Sequence, residues 1–261
     1  MNKLFCGDCV EIMDKMPPDS IDLTVTSPPY DDLRTYKGYT FDFESIAKQL
    51  YRITKEGGVV VWVVGDQTKD GDESGTSFRQ ALYFKEIGFK LFDTMIYAKS
   101  IRPIGGSNRY YNQFEYMFVF TKGNIKTANL FHDRVNVTEG TIRTTNFERN
   151  TNGNYGKLKQ RNTKSLGKRG NIWRYVTGGG HSSKDKVAFE HPAIFPEALA
   201  QDHILSWSNE RDVVLDPMCG SGTTCKMAYH NNRKYIGIDI SPEYIAIAEQ
   251  RLLQQNLFTG I

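Results

Sequence analysis

Residues 59–64 read Val59, Val60, Val61, Trp62, Val63 and Val64, an apolar run with no polar position inside it. A strand with one wet face alternates apolar and polar side chains. An unbroken run suits a central parallel strand covered on both faces. Parallel strands need crossover helices to return the chain, and the flanking sequence supplies them. Residues 3–6 read as a short strand, and residues 8–16 as a helix that Pro17-Pro18 stops. Residues 21–26 are a second apolar, β-branched run, ended by Ser27-Pro28-Pro29-Tyr30. Residues 43–53 form an amphipathic helix, after which Gly57-Gly58 feeds the valine run. Residues 76–88 read as a helix, and residues 89–98 and 115–121 as strands. After an interruption the alternation returns: helix 196–206, strand 213–215, helix 223–230, strand 235–240 and helix 242–254. The pattern predicts an α/β protein with a mostly parallel, doubly wound sheet.

The interruption is compositional. Between about residues 123 and 174 the chain turns to Asn, Thr, Gly and charge, without a sustained apolar period. Lys126, Arg134, Arg143, Arg149, Lys157, Lys159, Arg161, Lys164, Lys168, Arg169 and Arg174 face only Asp133, Glu139 and Glu148 there. The whole chain carries a formal charge of only +3, so almost all of its positive excess sits in this segment. A length of 261 residues with 39% hydrophobic content suits one large domain carrying an insertion. Residues 1–123 and 175–261 are expected to form that domain, with 124–174 inserted. No internal repeat is visible. No apolar run approaches the ~18 residues of a membrane span, and the opening residues lack a signal pattern. A soluble, cytoplasmic protein is expected. Zinc would want a second cysteine pair or histidines at ligand spacing beside Cys6 and Cys9, whereas Cys219 and Cys225 are spaced differently. No metal is expected, and reduced thiols are.

Two short motifs carry chemistry. The first, Asp216-Pro217-Met218-Cys219-Gly220-Ser221-Gly222-Thr223-Thr224, joins a strand to a helix. Its glycines permit a sharp turn and close approach to a ligand, and the helix start offers free N–H groups. One βα unit later a strand ends in Asp239, placed to accept hydrogen bonds from two ribose hydroxyls. An ordinary βα turn with a capping Asp would share some of this. Loop, strand and Asp239 together favour a nucleoside cofactor. No Gly-Lys-Ser/Thr run is present, which argues against a nucleoside triphosphate.

The second motif is Ser27-Pro28-Pro29-Tyr30 at a strand end. A base amine is a poor nucleophile because its lone pair is delocalised into the ring. Two acceptors aimed at its N–H groups draw it toward a tetrahedral geometry. The Ser27 side chain and the Pro28 carbonyl can be those acceptors, held in a turn that the prolines stiffen. Tyr30 can stack on an extruded base. The bland alternative, a proline-stopped strand beside a surface tyrosine, weakens once the glycine motif is found in the same chain.

These motifs, in this order, resemble the beta group of DNA amino-methyltransferases, in which the Ser/Asp-Pro-Pro-Tyr motif precedes a target-recognition insert and the cofactor motif follows it. The likeness runs along nearly the whole chain. Gly7-Asp8-Cys9 looks like the family's acidic motif, whose carboxylate reads the cofactor adenine. Residues 57–66 resemble its strand after the catalytic helix, residues 115–123 the strand before the insert, and residues 170–173 the insert's exit. His191-Pro192-Ala193-Ile194-Phe195-Pro196 resembles the segment lining the methionine end of the cofactor. Met218 stands where the family usually has Phe. The resemblance implies a class I S-adenosylmethionine-dependent methyltransferase fold with a reversed edge strand and a circularly permuted motif order. The implied cofactor is S-adenosylmethionine, held by Asp8, Cys9, His191, Pro192, Phe195, Asp216, Pro217, Met218, Cys219, Gly220, Ser221, Gly222, Thr223 and Asp239. The implied substrate is duplex DNA, with the target base swung out of the stack. Arg34, Lys157, Lys159, Arg161, Lys164, Lys168 and Arg169 are candidates for DNA contact. Relatives in this group are often dimers, and a partner endonuclease is a further candidate; no sequence feature requires either.

The expected reaction is methyl transfer to N4 of cytosine, because Ser at the first catalytic position goes more often with cytosine in this family. N6 of adenine presents the same N–C=N edge and is the alternative. Methylation at cytosine C5 needs a cysteine nucleophile, and no Pro-Cys-Gln-like motif is present; Cys219 reads better as small buried packing. RNA and protein-glutamine methyltransferases usually place the cofactor loop first and need no basic insert. A non-catalytic DNA-binding protein on this fold is disfavoured by intact Ser27, Tyr30, Gly220 and Asp239. Tyr36-Lys37-Gly38-Tyr39 reads equally as a lid or as a surface loop.

Overall fold

The computed structural model describes residues 2–29, 41–100, 108–137, 140, 142–145, 159–178, 180, 182–183, 185–190, 194 and 196–256. Its main sheet has eight strands: β1 (Lys3–Cys6), β2 (Ile21–Thr26), β3 (Thr54–Val64), β4 (Lys90–Ser100), β5 (Phe114–Thr121), β6 (Ile172–Val176), β7 (Val213–Asp216) and β8 (Lys234–Asp239). The helices are α1 (Cys9–Asp14), α2 (Phe43–Ile53), α3 (Thr76–Glu86), α4 (Glu197–Trp207), α5 (Thr223–His230) and α6 (Pro242–Asn256). Strand order is β1-β8-β7-β2-β3-β5-β4-β6. All neighbours run parallel except β5, which is antiparallel to both β3 and β4. The chain is a class I methyltransferase-type α/β fold.

The reversed strand differs from expectation in position. It does not form an edge. β4 pairs with β5, and β6 then adds to β4, so two strands lie outside it. Residues 172–174, expected to close the insert, open a strand that extends the sheet instead.

The valine run is covered as its composition demands. Every residue from Val59 to Val64 is at most 1% exposed. Val60, Trp62 and Val64 face α1–α3, packing with Met13, Ile46, Leu50 and Phe84. The intervening valines point to the other face by the two-residue period of a strand. Phe84 stacks on Phe120 at 4.5 Å, and the Trp62 indole donates to Gln80 Oε1 at 2.8 Å. Truncating a buried aromatic such as Phe84 to alanine would cost about 3–5 kcal/mol. β3 begins earlier than its apolar run, at Thr54, and takes Gly57-Gly58 into the strand. Gly57 has φ +78, and a Cβ there would lie 2.8 Å from the Lys126 Cβ. A glycine is therefore needed where the strand shifts register against β2.

Contacts divide the chain into two compact units, Met1–Asn129 with Asn171–Ile261, and Leu130–Gly170. These limits fall inside the 124–174 segment marked by composition. Asn129 is tied to α4 through the Leu205 and Ser208 carbonyls, and residues from 172 join the sheet. The smaller unit holds two antiparallel pairs, Ile142–Thr145 with Lys159–Asn162 and Arg134–Val135 with Leu166–Gly167. Among the described residues no helix is long and apolar enough to cross a membrane.

Candidate functional site

From β7 the chain passes through α5 to β8, and from β2 it moves the opposite way, through α2 to β3. The connections leaving these neighbouring parallel strands therefore diverge, and a crevice opens beyond their carboxyl ends. Both motifs sit there. β2 delivers Ser27, Pro28 and Pro29, and β7 delivers Asp216 and the glycine loop. Two hydrogen bonds join the segments: Thr26 Oγ1 donates to Asp216 Oδ1 at 2.8 Å, and Thr224 Oγ1 donates to the Val25 carbonyl at 3.1 Å. Ser27 and Pro29 are half-buried and Pro28 is buried.

Asp216 is sealed from water, and burial pushes its carboxyl up to about 6. The Thr26 and Thr224 hydroxyls and the Met218 amide oppose that shift; the nearby Asp239 charge adds to it. The Thr224 hydroxyl has one proton, and its best-placed acceptor is the Val25 carbonyl.

The loop is built from its own amides. Gly220 N–H donates to Asp239 Oδ2 at 2.9 Å, Ser241 N–H to Asp239 Oδ1 at 2.9 Å, and Cys219 N–H to the Ile238 carbonyl at 2.8 Å. Burial raises the Asp239 carboxyl, and the Ser241, Gly220 and Ile240 amides hold it back. Gly222, at φ +75, packs so closely on α6 that a Cβ would lie 2.7 Å from Ala248 Cβ. Pro217, Gly220, Ser221 and Thr223 are buried, and half-buried Met218 packs against the core. The last residue of β1, Cys6, is level with Asp239, and Gly7 N–H donates to the Asp239 carbonyl at 2.9 Å. Asp8 is exposed and caps α1 through one oxygen, accepting from Val10 and Glu11. Carboxylates at two neighbouring strand ends, with a glycine loop beside them, match a ligand that offers hydroxyls and an amine.

Cys9 and Cys219 are not poised as nucleophiles. Burial pushes the Cys9 thiol up to about 12. A hydrogen bond with Cys225, together with burial, holds the Cys219 thiol well above its usual range. Cys219 and Cys225 pack with Ile245 and Leu252.

Several candidates fall outside the described residues: Tyr30, Arg34, Lys157, His191, Pro192 and Phe195, with the 36–39 segment. Lys159 and Arg161 lie on a strand of the smaller unit. Lys164 and Lys168 are exposed, and their carbonyls accept from Asn136 and Arg134. Arg169 is committed within its own unit: it pairs with Asp133, holding that carboxyl below its ordinary value, and lies 4.2 Å over the Phe131 ring.

Two features escaped sequence reasoning. One is a cleft of about 440 Å³ beyond the end of β3, lined by Asp66, Phe78, Tyr110, Tyr111, Phe114 and Tyr116 among others. Exposed aromatics clustered there are suited to stacking on a planar ring. The other is a charge cluster behind the glycine loop, in which buried Lys226 and Arg251 face part-buried Asp185 and Glu197. A lysine among the apolar positions of α5 and an arginine beside Leu252 are its faint sequence traces.

A family model described as DNA methylase matches residues 21–250. The orphan methyltransferase M.BamHII of Bacillus amyloliquefaciens is 59% identical over 94% of this chain and 90% of its own length. The type II methyltransferase M.HpaI of Haemophilus parainfluenzae is 30% identical over 96% of this chain and 74% of its own. Among solved structures, PvuII DNA methyltransferase (cytosine-N4-specific) superposes with TM-score 0.72 at 21% identity, covering 98% of this chain and 87% of that one. A putative DNA modification methylase of Thermus thermophilus, complexed with S-adenosyl-L-methionine, gives TM-score 0.65 at 22% identity, covering 100% and 98%.

Proposed function

The chain belongs to the N6/N4 DNA methylase family, and within that family we propose that it transfers a methyl group from S-adenosylmethionine to N4 of cytosine in duplex DNA. One observation carries the reading: the Ser27–Pro28–Pro29 turn and the 216–223 loop leave adjacent strands and are tied by the Thr26–Asp216 hydrogen bond. A donor bound at the loop and an amine bound at the turn would then share one crevice.

The residues present fit such a cofactor. Asp239 would accept from the ribose hydroxyls, and Asp8 from the adenine amine. The bound group supplies an electrophilic methyl on a sulfonium. The protein supplies alignment. Ser27 and the Pro28 carbonyl accept from the target amine and direct its lone pair. Tyr30 would stack on the extruded base, and His191, Pro192 and Phe195 would line the methionine end, as the family resemblance implies. The preference for cytosine rests on Ser27 at the first catalytic position. Phosphates are met by Lys157, Lys159, Arg161, Lys164 and Lys168, with Arg34; Arg169 keeps a lesser share because Asp133 engages it. Residues 124–174 form the target-recognition region. The relative at 59% identity is named an orphan, which leans this reading away from a dedicated endonuclease. The protein works in the cytoplasm.

The test is tritiated methyl transfer to duplex DNA, with mass spectrometry of the digested nucleosides. N4-methylcytosine is the expected product. N6-methyladenine would overturn the choice of base, and no transfer to DNA would overturn the enzyme.

A further inference from the structure

Arg251 lies on α6, far along the chain from both motifs, and its side chain is 0% exposed. Its Nη1 donates to the Ser221 carbonyl at 2.5 Å, to the Ser221 hydroxyl at 3.0 Å and to the Thr223 hydroxyl at 3.2 Å. Its Nη2 donates to Glu197 Oε1 at 2.7 Å and Ser183 Oγ at 3.4 Å, and its Nε to Asp185 Oδ2 at 3.1 Å. Lys226 Nζ lies 2.7 Å from the same Asp185 and Glu197 oxygens. Two buried cations thus face two part-buried carboxylates. Such clusters are seldom worth their desolvation as a source of stability, since apolar packing does as well. What this one adds is direction. The rigid guanidinium fork holds the Ser221 and Thr223 side of the loop through Nη1 while Nη2 and Nε hold Glu197 and Asp185, a span that a flexible ammonium cannot make.

We propose that Arg251 is a positioning residue for the cofactor. It acts through Ser221 and Thr223, setting the loop in its binding shape, without touching the ligand. The proposal rests on the reading of residues 216–223 as the cofactor loop.

Calorimetric binding of S-adenosylhomocysteine to the full chain tests it. Arg251→Lys keeps the charge facing Asp185 and Glu197 but cannot also span to the loop. Its Kd should rise about tenfold, the loss of two or three charge-assisted hydrogen bonds. KM for the methyl donor should rise in step, with kcat at saturation within about twofold. Amide exchange at residues 220–223 should quicken, while the circular dichroism spectrum and duplex DNA affinity hold. Thr223→Val removes one acceptor from the loop side and leaves the charges alone. It should raise Kd about threefold, and the double variant should bind no worse than Arg251→Lys alone, because both cut one connection. A folded Arg251→Lys protein with the parent Kd overturns the proposal, and so does a lowered melting temperature with unchanged Kd. Should Arg251→Lys not fold, an unchanged Kd for Thr223→Val overturns it. Asp239→Ala separates the two readings. Parent-like binding there overturns the cofactor loop itself, whereas loss there beside parent-like Arg251→Lys overturns only the role given to Arg251.

Discussion

A carboxyl sealed from water and an imidazole sealed from water respond to acid in opposite senses, and this protein holds both kinds. Asp216 is raised by burial to about 6 from 3.8. Its neutral form suits the fold, so its contribution is full below 3.8 and is lost as pH rises toward 6. His203 is lowered by burial to about 3 from 6.5, with Trp207 Nε1 donating to its Nδ1 at 3.1 Å. Its contribution is full above 6.5 and is lost as pH falls toward 3. Between pH 4 and 6 the two slopes oppose each other. Asp216→Asn keeps an acceptor for Thr26 and adds an amide donor facing Thr224. Urea unfolding should then show this variant steeply less stable toward acid, and stabilised at pH 8 by on the order of 1–3 kcal/mol. An unchanged pH profile would mean that Asp216 is not the titrating group. At the reaction centre, Ser27→Ala should lower kcat about a hundredfold, as the loss of one aligned acceptor does, while calorimetry shows cofactor binding preserved. Asp239→Ala should instead weaken cofactor binding at least about tenfold, because the Gly220 and Ser241 amides lose their shared acceptor.

At the scale of elements, the sequence was most legible where a period and a stop signal coincided. β2 ends at Thr26, one residue short of its two prolines, and α2 follows its expected span, opened by Asp42 accepting from the Ser45 amide. Elements were less legible where the chain departs from its own composition. Gly57 and Gly58 read as a turn but lie within β3, because a bulge against β2 uses the left-handed backbone there. The reversed strand was readable as a strand but not as an inner one; its place depends on pairing with β3 and β4, which local propensity does not encode. The α5–α6 contact is a further case. Gly222→Ala would force φ +75 on an L residue and drive its Cβ into Ala248. It should lower stability by about 2 kcal/mol and displace the loop, measurable as a lower melting temperature together with a weaker Kd for S-adenosylhomocysteine.

For the whole molecule, the uneven distribution of charge makes a prediction of its own. Lys164→Gln with Lys168→Gln should weaken binding to duplex DNA several-fold at moderate salt and reduce the slope of log K against log salt by about two, leaving cofactor binding untouched. An unchanged slope would remove both lysines from the interface. The sequence by itself determined the α/β class, the order of the two motifs and the basic character of residues 124–174, because each is written in local periodicity, in turn residues or in net charge. Tertiary structure alone decided that the 27–29 turn and the 216–223 loop share one crevice, since that follows from which strands pair. It alone also decided that Arg251, Lys226, Asp185 and Glu197 meet. Each of those charges is ordinary in the sequence, and only the packing of α4, α5, α6 and the 185–190 stretch buries the two cations against the two carboxylates.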